Sequence, residues 1–340
     1  MKKVLIIISI ATFLLANDNS YGQSSSGYHV ANTFHVGGAG GWDYPAADAG
    51  SNKLYLSHGT QVNIIDKNSG DSIGVITDVT GVHGIAFVHA LGKGYISDGR
   101  LNNVTVFDLA SGKVIKQIPT GKNPDWIFYE TFSKKIITSN HSGASLSVID
   151  PKTDSVVATI AVAGEGLETI ASDNAGKIFV SVEDKSEIAV VDMKKLSVIH
   201  RWSLAPGEGP TGLAIDVATK RLFSGCEKTL IVMDAVTGKV IDHLPIGDGC
   251  DGVAFDPARK LIFTANGIGT MTVIKEISAN QYKVIDNITT KRGARTISLD
   301  QQTHAVYLPT GDYEPLPANA PKGTRPKIVE GSFQVLVVKK

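Results

Sequence analysis

Seven polar residues recur at nearly even intervals along this chain of 340 residues. They are Asp43, His83, Asp125, Glu168, Thr211, Asp251 and Arg295, spaced 40, 42, 43, 43, 40 and 44 residues apart. A second polar set runs in step with them: His58, Asp98, Asn140, Glu183, Glu227 and Asn266. If both sets share one face, the candidate site is Asp43, His58, His83, Asp125, Glu168, Glu183, Asp251, Asn266 and Arg295. Crowded carboxylates repel, so such a site needs a cation, a proton or Arg295 among them. Oxygen ligands of this kind suit a hard divalent cation such as Ca²⁺. His58 and His83 would also suit Zn²⁺. No closely spaced His-x-x-x-His motif is present, so the metal stays unassigned and no cofactor is inferred.

Two kinds of chemistry remain open. Convergent polar groups in a concave mouth bind small ligands or protein partners. A lactone hydrolase would need a carboxylate or His base and a cationic oxyanion stabiliser. Asp125, Glu168, His83 and Arg295 could supply these. There is no Gly-x-Ser-x-Gly elbow and no phosphate-binding loop. Binding without catalysis is therefore the first reading, and hydrolysis at the same mouth is the alternative. The plain counterpart to both is a wet, solvated rim.

What must position these residues is a repeat. Asp66, Asp108, Asp150, Asp192 and Asp234 are each 42 residues apart. That period fits a propeller blade of four strands, about 40–45 residues long. The recurring Asp-x-x-x-Gly-Lys phrase reads as the turn between third and fourth strands. There Asp bonds backbone N–H groups and Gly accepts positive φ. Innermost strands are expected near Tyr44, Gly84, Trp126, Thr169, Gly212, Gly252 and Thr296. The expected fold is all-β: a seven-bladed β-propeller of four-stranded antiparallel blades over residues 28–340. Tyr28 to Val36 reads as a last strand rather than a first one, so the N-terminal strand should close the ring. Gly311 to Gly331, with four prolines, reads as a lid or rim loop, or else as a stiff spacer.

The N-terminus carries Lys2 and Lys3, an apolar run from Val4 to Ala16, then Ser20-Tyr21-Gly22. This is a secretory signal pattern, with cleavage expected after Gly22 and residues 1–22 as the signal peptide. The apolar run is short of the ~20 residues a membrane span needs. Export to a periplasmic or extracellular space follows, with no membrane span after cleavage. Lys and Arg number 33, as do Asp and Glu, so nothing draws the chain to nucleic acid. Lysines at the turns of the opposite face, Lys67, Lys93 and Lys260 among them, read as solvated. A monomer is expected. Cys226 and Cys250 invite a disulfide in an exported protein; two free buried thiols are the other reading.

Val104-Thr-Val-Phe-Asp-Leu-Ala-Ser-Gly-Lys-Val-Ile115, Gly121-Lys-Asn-Pro-Asp125 and Cys250-Asp-Gly-Val-Ala-Phe-Asp-Pro257 resemble the YncE-type, YVTN-repeat β-propeller family. Glu183-Asp-Lys-Ser186 and Ala294-Arg-Thr-Ile-Ser-Leu-Asp300 resemble it too. The resemblance spans nearly all of the chain after the leader. It implies an exported seven-bladed propeller, with sugar-lactone hydrolases and reductase propeller domains among wider relatives. The haem and copper motifs of those reductases are absent here.

Overall fold

The described residues form seven four-stranded antiparallel sheets, each running from an inner to an outer strand. The computed structural model describes residues 26–317, 320–321 and 324–340. The expected leader, residues 1–22, lies outside the described residues. The inner strands of blades one to seven are Trp42–Ala47, Val82–Val88, Pro124–Glu130, Leu167–Ser172, Leu213–Asp216, Cys250–Asp256 and Ser298–Leu299. No described helix is long and apolar enough to cross a membrane.

Blade seven is built from both ends of the chain. Its strands are Ser298–Leu299, Val306–Thr310, Gln334–Lys339 and, outermost, His29–His35. His29 pairs with Lys339 and His35 with Gln334. Closure by the N-terminal strand is thus as expected, and the first strand covers an edge that would otherwise lie open. Tyr28 adds to this join: its ring meets Phe263 edge-on at 5.1 Å, and Arg259 donates to its hydroxyl at 2.6 Å.

The core lies between blades rather than inside any one of them. Phe179, Ile188 and Val190 of blade four pack with Leu222, Ile231 and Met233 of blade five in one cluster. Phe223, Leu230 and Val232, on the other face of blade five, pack with Val253 and Phe255 of blade six. Both faces of a sheet being buried explains why the strands read as continuous apolar runs. The turn aspartates do as their spacing predicts. Asp66 Oδ1 accepts from the N–H groups of Asn68 and Ser69, and Asp234 Oδ1 from those of Val236 and Thr237. Backbone N–H donors hold the Asp66 carboxyl below its ordinary pKa.

The lysines of that face are not all solvated. Lys67 is 5 % exposed and reaches Asp300 in blade seven at 2.9 Å. Lys93 spans blades two and three to Asp154 at 2.6 Å, and Lys260 spans blades six and five to Asp216 at 2.7 Å. These pairs staple neighbouring blades, so their cations are spent on the fold.

No disulfide links Cys226 and Cys250 in this structure: both are free and buried. Cys226 faces blade four from one side of the blade-five sheet, while Cys250 packs on the other side. Burial pushes the Cys226 thiol up to about 11 and that of Cys250 higher still. A thiol reagent should therefore find no reactive Cys in the native chain, and two after unfolding without reductant. No thiols after unfolding would restore the disulfide.

Deleting residues 26–36 should cost the chain the burial of Tyr28 and Phe34 and one whole strand ladder. Losing even one such aromatic costs about 3–5 kcal/mol. The melting temperature should fall by more than about 10 °C. An unchanged melt would contradict closure by this strand.

Candidate functional site

The ring residues arrive at the channel mouth through a repeated backbone defect. In blades one to four the inner strand carries one residue more than its partner. Trp42 faces His58 while Pro45 faces Leu56, and Val82 faces Asp98 while Ile85 faces Ile96. The same slip occurs between Pro124 and Ile127 and between Leu167 and Ile170. Such bulges bend the strand and re-aim a side chain. The re-aimed residues include Asp43, His83, Asp125 and Glu168. A serine one position before the end of strand two fills the gap in the ladder. Ser57 Oγ accepts from Asp43 N–H at 3.0 Å, Ser97 Oγ from Gly84 N–H at 2.8 Å, and Ser139 Oγ from Trp126 N–H at 3.1 Å. Next-blade contacts then pin the ring: Thr296 Oγ1 donates to the Asp43 carbonyl at 2.8 Å, and Thr211 Oγ1 to that of Cys250 at 2.5 Å.

Six of the seven ring residues join one electrostatic cluster. His83 Nδ1 lies 2.6 Å from Asp43 Oδ2 and 3.6 Å from Asp125 Oδ2. Arg295 Nε donates to Asp251 Oδ2 at 2.6 Å, and its Nη2 lies 3.6 Å from Asp43 Oδ1. Glu168 pairs with His141, Nδ1 to Oε1, at 3.0 Å. Thr211 is spent on the backbone bond just described. Tyr44 sits beneath the ring, its aromatic face against Trp126 at 4.9 Å in a T-shaped pair. Burial and then the charges of Asp251, Asp125, Glu168 and Asp43 raise its hydroxyl well above the ordinary range.

The cluster is short of positive charge. Burial, opposed in part by His83 and reinforced by Glu168 and Asp43, holds the Asp125 carboxyl well above its ordinary pKa. Glu168 is raised by burial against the pull of His141, and Asp251 by burial against the pull of Arg295. His83 goes up to about 9: burial works against its charge, but the Asp43 hydrogen bond and the charge of Asp125 outweigh it. His83 is therefore a cation at neutral pH.

Two cavities open beside Arg295. One of about 680 Å³ is lined by Glu168, Glu183, Asp251, Arg292, Arg295 and the long blade-seven loop through Tyr313, Arg325, Pro326 and Ile328. The other, about 620 Å³, lies over Asp43, His83, Arg100 and Asn123. The described residues of the Gly311–Gly331 stretch thus wall the rim. A bridge between Tyr313 and Ile328 and the packing of Tyr313 on Trp42 at 6.0 Å fix its base. Deeper in the channel, a third space of about 530 Å³ is mostly apolar.

Two expected site residues do not belong to the mouth. His58 is 1 % exposed, packs at a tilt against Phe333 at 4.3 Å and shares a hydrogen bond with Asn63 at 3.0 Å. Burial lowers its pKa, so it stays neutral. Asn266 is fully buried and donates to Thr270 and Thr272 at 3.1 and 3.0 Å. Asp98 and Asn140 bond across the same hairpin, to Thr105 and to Ser145. The last residue of strand two thus serves the hairpin, and it is the next residue that reaches the mouth. That next position holds Gly59, Gly99, His141, Glu183, Glu227, Gly267 and Gly311. Glu183 lies there as expected, exposed on the larger cavity. His141 was missed because the second set mixed two registers; its step of 42 to Glu183 is the signal that could have found it. The glycines make room: a Cβ on Gly99 would come within 2.6 Å of His83 Nε2.

No protein-family model matches the chain, and no curated protein matches it. Solved structures do match. Hydrazine synthase of Kuenenia stuttgartiensis is similar over 81 % of this chain and 94 % of its own, at 15 % identity and a TM-score of 0.71. The RRP9 WD40 repeats match 91 % of this chain and 97 % of theirs, at 10 % identity and a TM-score of 0.75. U3-55K does so over 91 % and 99 %, also at 10 % identity and a TM-score of 0.75. At these identities the likeness carries the fold alone. The class is the seven-bladed β-propeller fold.

Replacing Arg295 with Ala should destabilise the chain in a pH-dependent way. Asp125, Glu168 and Asp251 already bind protons more tightly folded than unfolded. A raised group gives its full stability below the unfolded pKa and loses it as pH rises through the folded one. Losing Arg295 raises them further. The variant should therefore melt near the parent at pH 4 and clearly below it at pH 7.5. The expected cost there is about 1–3 kcal/mol, less than for a fully buried pair because the Arg295 side chain keeps 39 % exposure. Identical melting at both pH values would make the ring a solvated rim.

Proposed function

We propose that this chain is an exported, non-enzymatic propeller that binds a small polar ligand, or the polar group of a protein partner, at the channel mouth. The observation that carries this reading is the gathering of Asp43, His83, Asp125, Glu168, Asp251 and Arg295 around two cavities that share Arg295. Both cavities have the size of small-ligand sites. The larger one favours a ligand with two characters. An anionic group would meet Arg292, Arg295 and Arg325, with Arg295 able to clamp a carboxylate in bidentate fashion. Hydroxyl or amine groups would donate to Glu168, Glu183 and Asp251. Hydroxy acids, sugar acids and amino acids have this make-up. Export is supported by the leader pattern, and the YncE-type resemblance points the same way.

One observation favours the enzymatic alternative. Asp125 and Glu168 are buried carboxyls with raised pKa, as a general acid requires. A lactone hydrolase at this mouth would turn over a lactone panel and lose that turnover on Glu168→Gln.

A thermal-shift screen of acids, sugars and amino acids, followed by calorimetry, tests the binding reading. At least one compound should raise the melting temperature. Its affinity should drop at least about 10-fold in Arg295→Ala, as for the loss of a charged hydrogen-bond partner. Lys194→Ala, at a turn of the opposite face, should leave it unchanged. Failure of every compound, or binding indifferent to Arg295, would contradict the proposal.

A further inference from the structure

The mouth holds two triads of metal-ligating side chains that share Asp125. In Asp43–His83–Asp125 and in Asp125–His141–Glu168, the donor atoms all lie within 4.8 Å of one another. In the first, His83 Nδ1 is hydrogen bonded to Asp43 Oδ2 at 2.6 Å, so a proton joins imidazole to carboxylate. In the second, His141 Nδ1 is paired with Glu168 Oε1 at 3.0 Å. Asp125 Oδ1 is buried without a hydrogen-bond partner among the described residues. Asp125 and Glu168 are each only 7 % exposed. Buried polar atoms are almost always satisfied, and two buried carboxylates beside a single imidazole leave the Asp125 Oδ1 lone pairs and negative charge unmatched.

We propose that Asp125, His141 and Glu168 form the seat of one divalent transition-metal ion of the Mn²⁺ or Zn²⁺ kind. One imidazole and two carboxylates make a mixed nitrogen and oxygen set, which these ions accept. Ca²⁺ takes oxygen ligands only and fits less well. Ligands about 2.0–2.1 Å from a tetrahedral ion stand roughly 3.3 Å apart. The 3.0 Å between His141 and Glu168 therefore needs little adjustment. Three protein ligands leave a coordination position open. Glu168 lines the larger cavity, so that position faces the space where a ligand would sit. The His141 backbone N–H is anchored to the Asn123 carbonyl at 2.8 Å, which fixes the loop that presents the ring. His83 stays with Asp43, outside the coordination set.

The inference rests on the binding reading of the mouth and adds the charge that a ligand oxygen would meet there. The test is a titration of the EDTA-treated chain with Mn²⁺, with electron paramagnetic resonance counting the free ion. One Mn²⁺ per chain should bind, displaced by Zn²⁺ but not by equimolar Ca²⁺. Affinity should fall at least about 10-fold in His141→Ala and in Glu168→Gln, a lower bound taken from the loss of mere ligand-supporting groups. Lys194→Ala, at a turn of the opposite face, should keep the parent's affinity. Far-UV circular dichroism confirms folding, and if His141→Ala does not fold, Glu168→Gln reads the same ligand set. Absence of bound Mn²⁺, binding that survives both ligand variants, or binding lost equally on Lys194→Ala would each overturn the proposal. The ligand screen, repeated on the EDTA-treated chain, separates the two readings. Ligand binding with no metal site would sink the metal seat and keep the binding function. A metal site with no ligand would do the reverse.

Discussion

A propeller blade cannot bury its two faces alone, and the rest of this molecule follows from that constraint. Blade five needs blade four for Phe179 and Ile188 and blade six for Val253 and Phe255. Every sheet is in this position, so stability requires a closed ring. The ring closes because His29–His35 pairs with Gln334–Lys339 at the outer edge of the last blade. Closure turns all inner strands toward one axis, and this brings residues 44 and even 253 positions apart into hydrogen-bond range. The Arg295 contact with Asp251 and the Thr296 contact with the Asp43 carbonyl both cross blade boundaries. The mouth is a product of closure, not of local sequence.

That convergence has an electrostatic consequence. Four carboxylates share a small, poorly hydrated volume with Arg295, His83 and His141. Bulges lift the acids into the mouth, and burial then disfavours their charge. The cluster responds by raising Asp125, Glu168 and Asp251 and by holding His83 as a cation. A site in this state takes up protons or cations readily. The arginines of the larger cavity give it the opposite character a few residues away, so one ligand can satisfy both.

Much of this was legible in the residues. The 42-residue step of Asp66 to Asp234 carried the blade count, and the turn chemistry of those aspartates carried the hairpins. The first ring was legible because a polar residue at the start of each inner strand, or just before it, is costly unless it faces a channel. The second ring was not. His58 and Asn266 stand one residue before the position that reaches the mouth, and only hairpin pairing, His58 opposite Gln61 and Asn266 opposite Thr270, reveals the slip. His141 was hidden because four of its six repeat equivalents are glycine, which gives no polar pattern to follow. Nor could sequence place Cys226 and Cys250 on opposite faces of one sheet. The staples through Lys67, Lys93 and Lys260 were equally hidden, since a turn lysine reads as solvated until its partner in the next blade is known.

The central claim is that the ring acts as one electrostatic unit, with His83 held as a cation between Asp43 and Asp125. A ¹H–¹⁵N titration of the imidazoles measures this directly. The chain has nine histidines. One imidazole resonance, missing from the spectrum of His83→Gln, should titrate at about 9. If the His83 resonance titrates instead near the ordinary value of about 6.5, the carboxylates around it do not act together and the account of the mouth is wrong.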